Sequence, residues 1–242
     1  TRNLNGVTGT GASLGSTSII NDTLTNATTN PININYPILL TANGCQNRDT
    51  IKALVNPTPK LNNIPTTVGR CGGNAFNFTA TSATTGASFA WSRAALTGIT
   101  PSTGSGSTST ISETLNNSTT SPIVVSYIYT TTINSCSGND TIRDTIYPSP
   151  SISSLKTATI CSGTAFNYTA TSATSGTIFS WIRPAVTGIT TTATPGNGNN
   201  ITDTLRNTTT APIVVQYIFT LSANGCSRPD TVSVTVNPRP KL

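Results

Sequence analysis

The residues with the most distinctive chemistry in this chain are its five cysteines. Two pairs share one spacing, because Cys136 follows Cys71 by 65 residues and Cys226 follows Cys161 by 65 residues. The sequence has no histidine and no Cys-x-x-Cys pair, which argues against a zinc site. The spacing predicts one disulfide within each pair. The fifth residue, Cys45, matches the second member of a pair, so we expect its partner upstream of the first residue shown.

The other reactive side chains do not form a recognisable catalytic set. Without histidine, neither a Ser-His-Asp nor a Cys-His arrangement can form. One glutamate and six aspartates are dispersed along the chain, which argues against the paired carboxylates of a glycosidase. Loop carboxylates such as Asp49, Asp140 and Asp230 could bind calcium, but their neighbours supply too few oxygen ligands. We therefore expect no enzyme activity and no cofactor, with structural calcium as an alternative.

The cysteines belong to a repeat that covers the whole chain. The segment CGGNAFNFTATSAT from Cys71 recurs as CSGTAFNYTATSAT from Cys161, 90 residues later. An incomplete copy precedes these two and contains only the back half of a unit. Each copy ends in Pro-x-Pro, which favours a stiff connector. The predicted units are residues 1–58, 59–149 and 150–242.

Short β-branched and aromatic segments within each unit predict strands, for example PIVVSYIYTTT from Pro122. Val232, Val234 and Val236 alternate with polar residues, which is typical of a strand with one buried face. No segment shows a helical period. Roughly seven strands in a unit of this length predict an all-β fold of tandem immunoglobulin-like sandwiches.

Each complete unit contains one tryptophan in a Trp-x-Arg sequence. Trp91 and Trp181 are predicted to lie in the cores, where an aromatic side chain buries a large apolar area. Arg93 and Arg183 lie two residues later and face the same side of their strands. We expect the arginines to emerge at the rim, with contact to a ligand as a weaker alternative.

Composition and charge indicate an extracellular protein. Charged residues make up only 8% of the chain, and Thr, Ser, Asn and Gly are abundant. The net charge is +6, but the basic residues are scattered and form no stripe that could follow nucleic acid or an anionic membrane. No apolar run approaches the roughly 20 residues that span a bilayer. We expect no nucleic-acid partner and no membrane insertion.

The order of these motifs resembles a known family. A cysteine precedes a Phe-x-[Phe/Tyr] strand, and Trp-x-Arg, Ile-x-[Asp/Glu]-Thr-Leu-x-Asn-x-Thr-x-x-Pro, a second cysteine and Pro-x-Pro follow. This order is similar to the PKD-like repeats of giant exported cell-surface adhesins of Bacteroidota. The resemblance implies PKD-like sandwiches at the cell surface, although Trp-Ser-Arg stands where the usual signature has Trp-Asp-Phe.

A second resemblance concerns Asp-Thr-aliphatic triplets, which are similar to the O-glycosylation acceptor of the same phylum. The resemblance implies candidate acceptors at Thr23, Thr50, Thr141, Thr145, Thr204 and Thr231. The alternative is that the triplets repeat two strand-start positions that favour Asp and Thr for local hydrogen bonds. Only the triplet from Asp144 departs from the repeat, because its counterpart begins with Val234.

Three functions remain open from the sequence. The chain could be a structural repeat module of a surface adhesin or filament, whose partners are neighbouring repeats or identical chains. It could instead be a carbohydrate- or protein-binding module with surface glycans as partners, or the spacer of a secreted enzyme. Half a sandwich buries too little apolar surface to fold alone, so residues 1–58 are expected to need strands from upstream or from a neighbouring chain.

Overall fold

A computed structural model of the chain describes residues 6–10, 19–66 and 68–240. In these residues all regular secondary structure is β-strand, so the predicted all-β fold is confirmed. Among them no helix is long or apolar enough to cross a membrane. The strands of the first unit are β1 (Val7–Thr10), β2 (Thr23–Asn26), β3 (Ile32–Ala42) and β4 (Cys45–Val55).

The second unit is a sandwich of a five-stranded sheet and two two-stranded sheets. Its strands are β5 (Gly69–Cys71), β6 (Ala75–Thr79), β7 (Ser88–Arg93), β8 (Ile99–Thr100), β9 (Gly104–Gly106), β10 (Thr110–Thr114), β11 (Asn116–Asn117), β12 (Ile123–Ile133) and β13 (Cys136–Tyr147). The large sheet has the order β5-β13-β12-β7-β9, and the two small sheets are the pairs β6–β10 and β8–β11. Strand β5 runs parallel to β13, whereas the remaining pairs are antiparallel.

The third unit repeats this arrangement. Its strands are β14 (Thr157–Cys161), β15 (Ala165–Thr169), β16 (Ile178–Arg183), β17 (Thr194–Asn197), β18 (Asn200–Thr204), β19 (Ile213–Ala223) and β20 (Cys226–Asn237). The large sheet has the order β14-β20-β19-β16-β17, with β14 parallel to β20, and β15 pairs with β18 opposite it. The two complete units therefore share one topology.

Each complete unit has its own hydrophobic core. Trp91 lies in the core of the second unit and Trp181 in that of the third, and each is 8% exposed. Each indole meets a buried tyrosine of the central strand edge-on, Tyr127 at 5.9 Å and Tyr217 at 5.6 Å between ring centroids. The alternating valines of β20 are fully buried, as a strand with one face on the core requires.

The first unit leaves apolar positions exposed that the complete units bury. Ile51 is 50% exposed, while its counterparts Ile142 and Val232 are fully buried. Leu40 is 55% exposed, while its counterpart Leu221 is fully buried. In the described part of the chain, the first unit adds only the two-stranded β1–β2 sheet to the β3–β4 hairpin, and Ile34 of β3 is fully buried. That residues 1–58 need strands from elsewhere stays a prediction.

In each complete unit, an aspartate of the last strand accepts a hydrogen bond from the backbone of the segment that enters the unit. Asp140 accepts a hydrogen bond from the Leu61 backbone N–H at 2.7 Å, and Asp230 accepts one from the Ile152 N–H at 3.0 Å. Lys156 Nζ also bonds Asp230, at 2.7 Å. Burial alone would raise the pKa of Asp230, but these bonds outweigh it, so the pKa is lowered.

We expect an Asp230→Asn variant to lose stability at neutral pH but little at low pH. A carboxyl whose folded-state pKa is lowered stabilises the fold above its unfolded pKa of about 4 and loses this contribution as the pH falls below that value. The free energy of unfolding, from urea titrations at several pH values, should therefore converge with that of the parent chain in acid. The matched control is Asp49→Asn, since Asp49 is exposed and, among the described residues, accepts a hydrogen bond only from the neighbouring Thr50 N–H. Curves that stay parallel at all pH values would contradict this role.

Candidate functional site at the junction between units

The junction between the second and third units is closed by a disulfide. Cys71 bonds Cys226, with their Cα atoms 5.5 Å apart and a separation of 155 residues along the chain. The other cysteines, Cys45, Cys136 and Cys161, are free thiols in the structure. The predicted pairing of Cys71 with Cys136 and of Cys161 with Cys226 is therefore wrong. The bond joins neighbouring units instead of closing each one.

Strand direction explains why a bond within one unit cannot form. Cys71 pairs with Tyr147 at the end of β13, whereas Cys136 begins the same strand. The strand has twelve residues, so its ends lie roughly 36 Å apart. A disulfide requires Cα atoms within about 7 Å. Cys161 and Cys226 lie at opposite ends of β20 in the same way.

A tight hairpin carries Cys226 to the second unit. Asn224 and Gly225 connect β19 to β20 with φ angles of +51° and +76°, the left-handed pair that a two-residue hairpin turn needs. Cys226 follows at once and pairs with Ala223 in the ladder. The hairpin tip of one unit thus reaches the end of the preceding unit where Cys71 lies.

A polar cleft of about 310 Å³ adjoins this junction. Residues of both units line it, including Gly72 and Asn117 of the second unit and Thr174 and Arg228 of the third. Arg228 is its only charged lining residue among those described. No carboxylate or thiol is among the described residues that line the cleft.

The asparagine of the Leu-x-Asn motif braces the loop next to each junction. Asn117 is 9% exposed, and its Nδ2 donates to the carbonyls of Ser121 and Ile146, both at 2.8 Å. Its Oδ1 accepts from the Thr119 backbone N–H and hydroxyl. Asn26 and Asn207 make the same contacts in their units. The motif therefore fixes the loop to the last strand.

Arg93 and Arg183 are buried, which contradicts their predicted place at the rim. They are 3% and 1% exposed. Each guanidinium spans the two sheets, with Arg93 Nε 3.0 Å from Glu113 and Arg183 Nε 2.7 Å from Asp203. Loop carbonyls accept the remaining N–H groups, Ser102 and Pro101 in the second unit. The signal that sequence reasoning missed is the acid 20 residues after each arginine.

The tyrosine of the central strand completes this cluster in the third unit. Tyr217 Oη donates to Asp203 Oδ2 at 2.9 Å, the oxygen that also accepts from Arg183. Tyr36 makes the same bond to Asp22 in the first unit. Burial, together with the neighbouring carboxylate, raises the pKa of Tyr217, so the phenol stays protonated. The cluster therefore neutralises a buried charge and stabilises the core.

A second buried ion pair is confined to the second unit. Arg70 Nε lies 2.7 Å from Asp144 Oδ2, and the guanidinium stacks 4.1 Å above the ring of Phe76. Burial raises the pKa of the fully buried Asp144 carboxyl, and Arg70 opposes this effect. The third unit has Ile160 and Val234 at the two positions. Asp144 thus departs from the repeat together with an arginine partner.

The candidate glycosylation threonines differ in accessibility. Thr23, Thr50, Thr141 and Thr204 are exposed, whereas Thr145 and Thr231 are half-buried. The first four therefore present hydroxyls that a transferase could reach, and all six remain candidate acceptors. The candidate calcium ligands Asp49, Asp140 and Asp230 are not brought together, and within the described ranges no group of three or more acidic, cysteine or histidine side chains is placed to hold a metal.

A family model described as PKD-like domain matches residues 66–150 and 158–240. Among curated proteins nothing matches. Solved structures with similar chains include the first two immunoglobulin domains of DIP-gamma, with 13% identity, a TM-score of 0.38, and coverage of 75% of this chain and 98% of that one. A fragment with titin domains I67–I69 has 9% identity and a TM-score of 0.41, and covers 97% of this chain and 83% of that one. Domains 3–5 of Drosophila OTK have 9% identity, a TM-score of 0.38, and coverage of 86% and 71%.

Proposed function

Because this chain belongs to the PKD-like domain family, we propose that it is a structural repeat module of an extracellular surface adhesin or filament. Its units would project or connect binding domains and carry out no chemistry themselves. PKD-like and immunoglobulin-like domains are typically structural modules without catalysis, and such domains with a disulfide are typical of extracellular proteins. The partners would be neighbouring units of the same chain or of identical chains at the cell surface.

The observation that carries this proposal is the Cys71–Cys226 bond. A bond inside a unit would stabilise that unit only, whereas this bond restrains the angle and distance between two units. An enzyme or a single binding domain gains little from such a restraint. A spacer gains reach, because a stiff connection keeps its ends apart at a given chain length.

Two further features support a stiff connection. The two prolines of the Pro-x-Pro connector cannot donate hydrogen bonds to a sheet and have few backbone conformations. Directly after it, the Leu61 and Ile152 N–H groups are held by Asp140 and Asp230 of their own units. The flexible length between one unit and the next is therefore short.

The proposal predicts that the intact bond limits motion between the second and third units. Small-angle X-ray scattering of the oxidised chain should fit one relative orientation of the two units. The Cys71→Ser/Cys226→Ser variant should require a broad range of orientations and show a wider distribution of interatomic distances. Cys45→Ser is the control, since Cys45 is free and exposed.

Tryptophan fluorescence should confirm that both units of the double variant are folded, because each core contains one tryptophan. An equally broad range of orientations with and without the bond would contradict the spacer role.

A further inference from the structure

We propose that each free cysteine of this chain is one half of a further disulfide between units, of the kind that Cys71 and Cys226 form. The bonding partner is another unit of the same 90-residue kind. In every bond, the cysteine before the Phe-x-[Phe/Tyr] strand of one unit joins the hairpin cysteine of the unit that follows. The inference rests on the array proposed above and adds its covalent chemistry.

Cys161 provides the first of these sulfurs. It pairs with Asn237 at the end of β20, as Cys71 pairs with Tyr147 at the end of β13. Its thiol is exposed. Arg239 lies nearby, where its Nε donates to the Ser162 carbonyl at 2.9 Å. Cys161 is therefore placed to accept a hairpin cysteine as Cys71 does.

Cys136 provides the matching sulfur at the junction between the first and second units. It follows the turn residues Asn134 and Ser135, which have φ angles of +44° and +66°, and so occupies the place of Cys226. Asn134 Nδ2 lies 3.4 Å from Asn56 Oδ1. Asn56 is the counterpart of Tyr147, and Tyr147 is the residue that pairs with Cys71 in the second unit. The Cys136 hairpin therefore already rests where the preceding unit would place its own first cysteine.

Cys45 completes the series. It begins β4 after the turn of Asn43 and Gly44, whose φ angles are +47° and +78°, and it is exposed. This is again the hairpin position, so its partner is the first cysteine of a unit one place further upstream. The chain thus has one unbonded cysteine before a Phe-x-[Phe/Tyr] strand, Cys161, and two unbonded hairpin cysteines, Cys45 and Cys136.

Bond formation needs a two-electron oxidant, which an extracellular environment supplies as a small-molecule disulfide. The Cys161 thiolate attacks a sulfur of the oxidant, releases one thiol and forms a mixed disulfide. The hairpin thiolate then displaces the second thiol and forms the Sγ–Sγ bond. The two protein thiols lose two protons and two electrons, and the oxidant becomes two thiols.

The test adds a whole unit after the full chain and the front part of a unit before it. A copy of residues 151–240 placed directly after Pro240 creates a new hairpin cysteine 155 residues beyond Cys161, the separation found between Cys71 and Cys226. A copy of residues 59–91 placed before Thr1 supplies the missing first cysteine to the first unit. After folding with oxidised glutathione and alkylation, unreduced peptides are mapped by mass spectrometry.

We expect two new cross-linked peptides, one joining Cys161 to the appended copy of Cys226 and one joining the added copy of Cys71 to Cys136. Alkylation of Cys161 should fall at least about tenfold relative to the parent chain, since a disulfide sulfur is not a nucleophile. Changing the appended copy of Cys226 to Ser should restore the alkylation and leave the Cys71–Cys226 bond intact.

Cys161 that remains alkylated, or that joins Cys226 of its own unit, would overturn the proposal. If the Cys71–Cys226 peptide is found in that same digest, the spacer role stands and only the further bonds are excluded. If that peptide is also missing, both the spacer role and the further bonds lose their basis.

Discussion

Stretching the oxidised chain between its two ends is expected to leave the residues between Cys71 and Cys226 unextended. Tension passes from Cys71 to Cys226 through the disulfide, so the intervening 155-residue loop carries none of it. Reduction should lengthen the fully stretched chain by roughly 540 Å, because an extended residue spans at most about 3.5 Å. Single-molecule force spectroscopy measures this change in contour length directly.

Two bonds within units would together shorten the stretched chain by a similar length. Single substitutions distinguish that pairing from the observed bond. Cys226→Ser should release the full length without reductant. Cys136→Ser and Cys161→Ser should release nothing, because both thiols are free. If the pairing were within units, each of these variants would release about 65 residues, or roughly 230 Å. Release in either variant would therefore contradict the observed bond.

The second large effect is expected where the second unit buries Arg70 against Asp144. Arg70→Ile leaves the fully buried carboxylate without its partner, and the loss of one member of a buried pair costs about 3–5 kcal/mol. Asp144→Val should cost less, since the guanidinium keeps its bond to the Ala75 carbonyl and its stacking on Phe76. The Arg70→Ile/Asp144→Val double variant should restore or exceed the parent stability.

The third unit is the reason to expect such recovery. It has Ile160 and Val234 at these positions and packs Val234 fully buried in its core. Replacing a buried pair with apolar residues of similar volume is often neutral or stabilising by about 1–4 kcal/mol. The measurement is a double-mutant cycle by urea unfolding in a Trp181→Phe background, where Trp91 reports on the second unit. A coupling energy near zero would contradict the ion pair.

The pH dependence of the Arg70→Ile variant gives an independent check. An acid whose folded-state pKa is raised binds its proton more tightly in the folded chain, so stability falls as the pH rises above the unfolded-state value of about 4. Burial already raises the pKa of Asp144, and removal of Arg70 removes the opposing effect. The deficit of the variant at neutral pH should therefore shrink as the pH is lowered toward 4.

The repeat and its strands could be predicted from the sequence because they depend on local patterns. Alternation around Val234 marks a buried face whatever the partner strand is, and a repeated tryptophan marks a repeated core. The direction in which β5 and β14 join their sheets is not local. The disulfide partner depends on that direction, since a parallel first strand places Cys71 at the far end of the unit from Cys136.

The place of the arginines could not be derived for a related reason. Periodicity puts Arg93 on the inner face of its strand, but whether it is buried depends on an acid in the opposite sheet. Glu113 provides that acid from β10. The same holds for Asp144, which resembles a modification motif in the sequence while its burial against Arg70 is a property of packing.

The bond between units also determines what a cut in the polypeptide would do. Leu155, just before β14 of the third unit, is 82% exposed, and exposed loop residues are typical sites of proteolytic cleavage. Cleavage there, or in any loop between Cys71 and Cys226, would leave both fragments attached through sulfur. Such a chain could be nicked outside the cell and still hold whatever is attached to its two ends together.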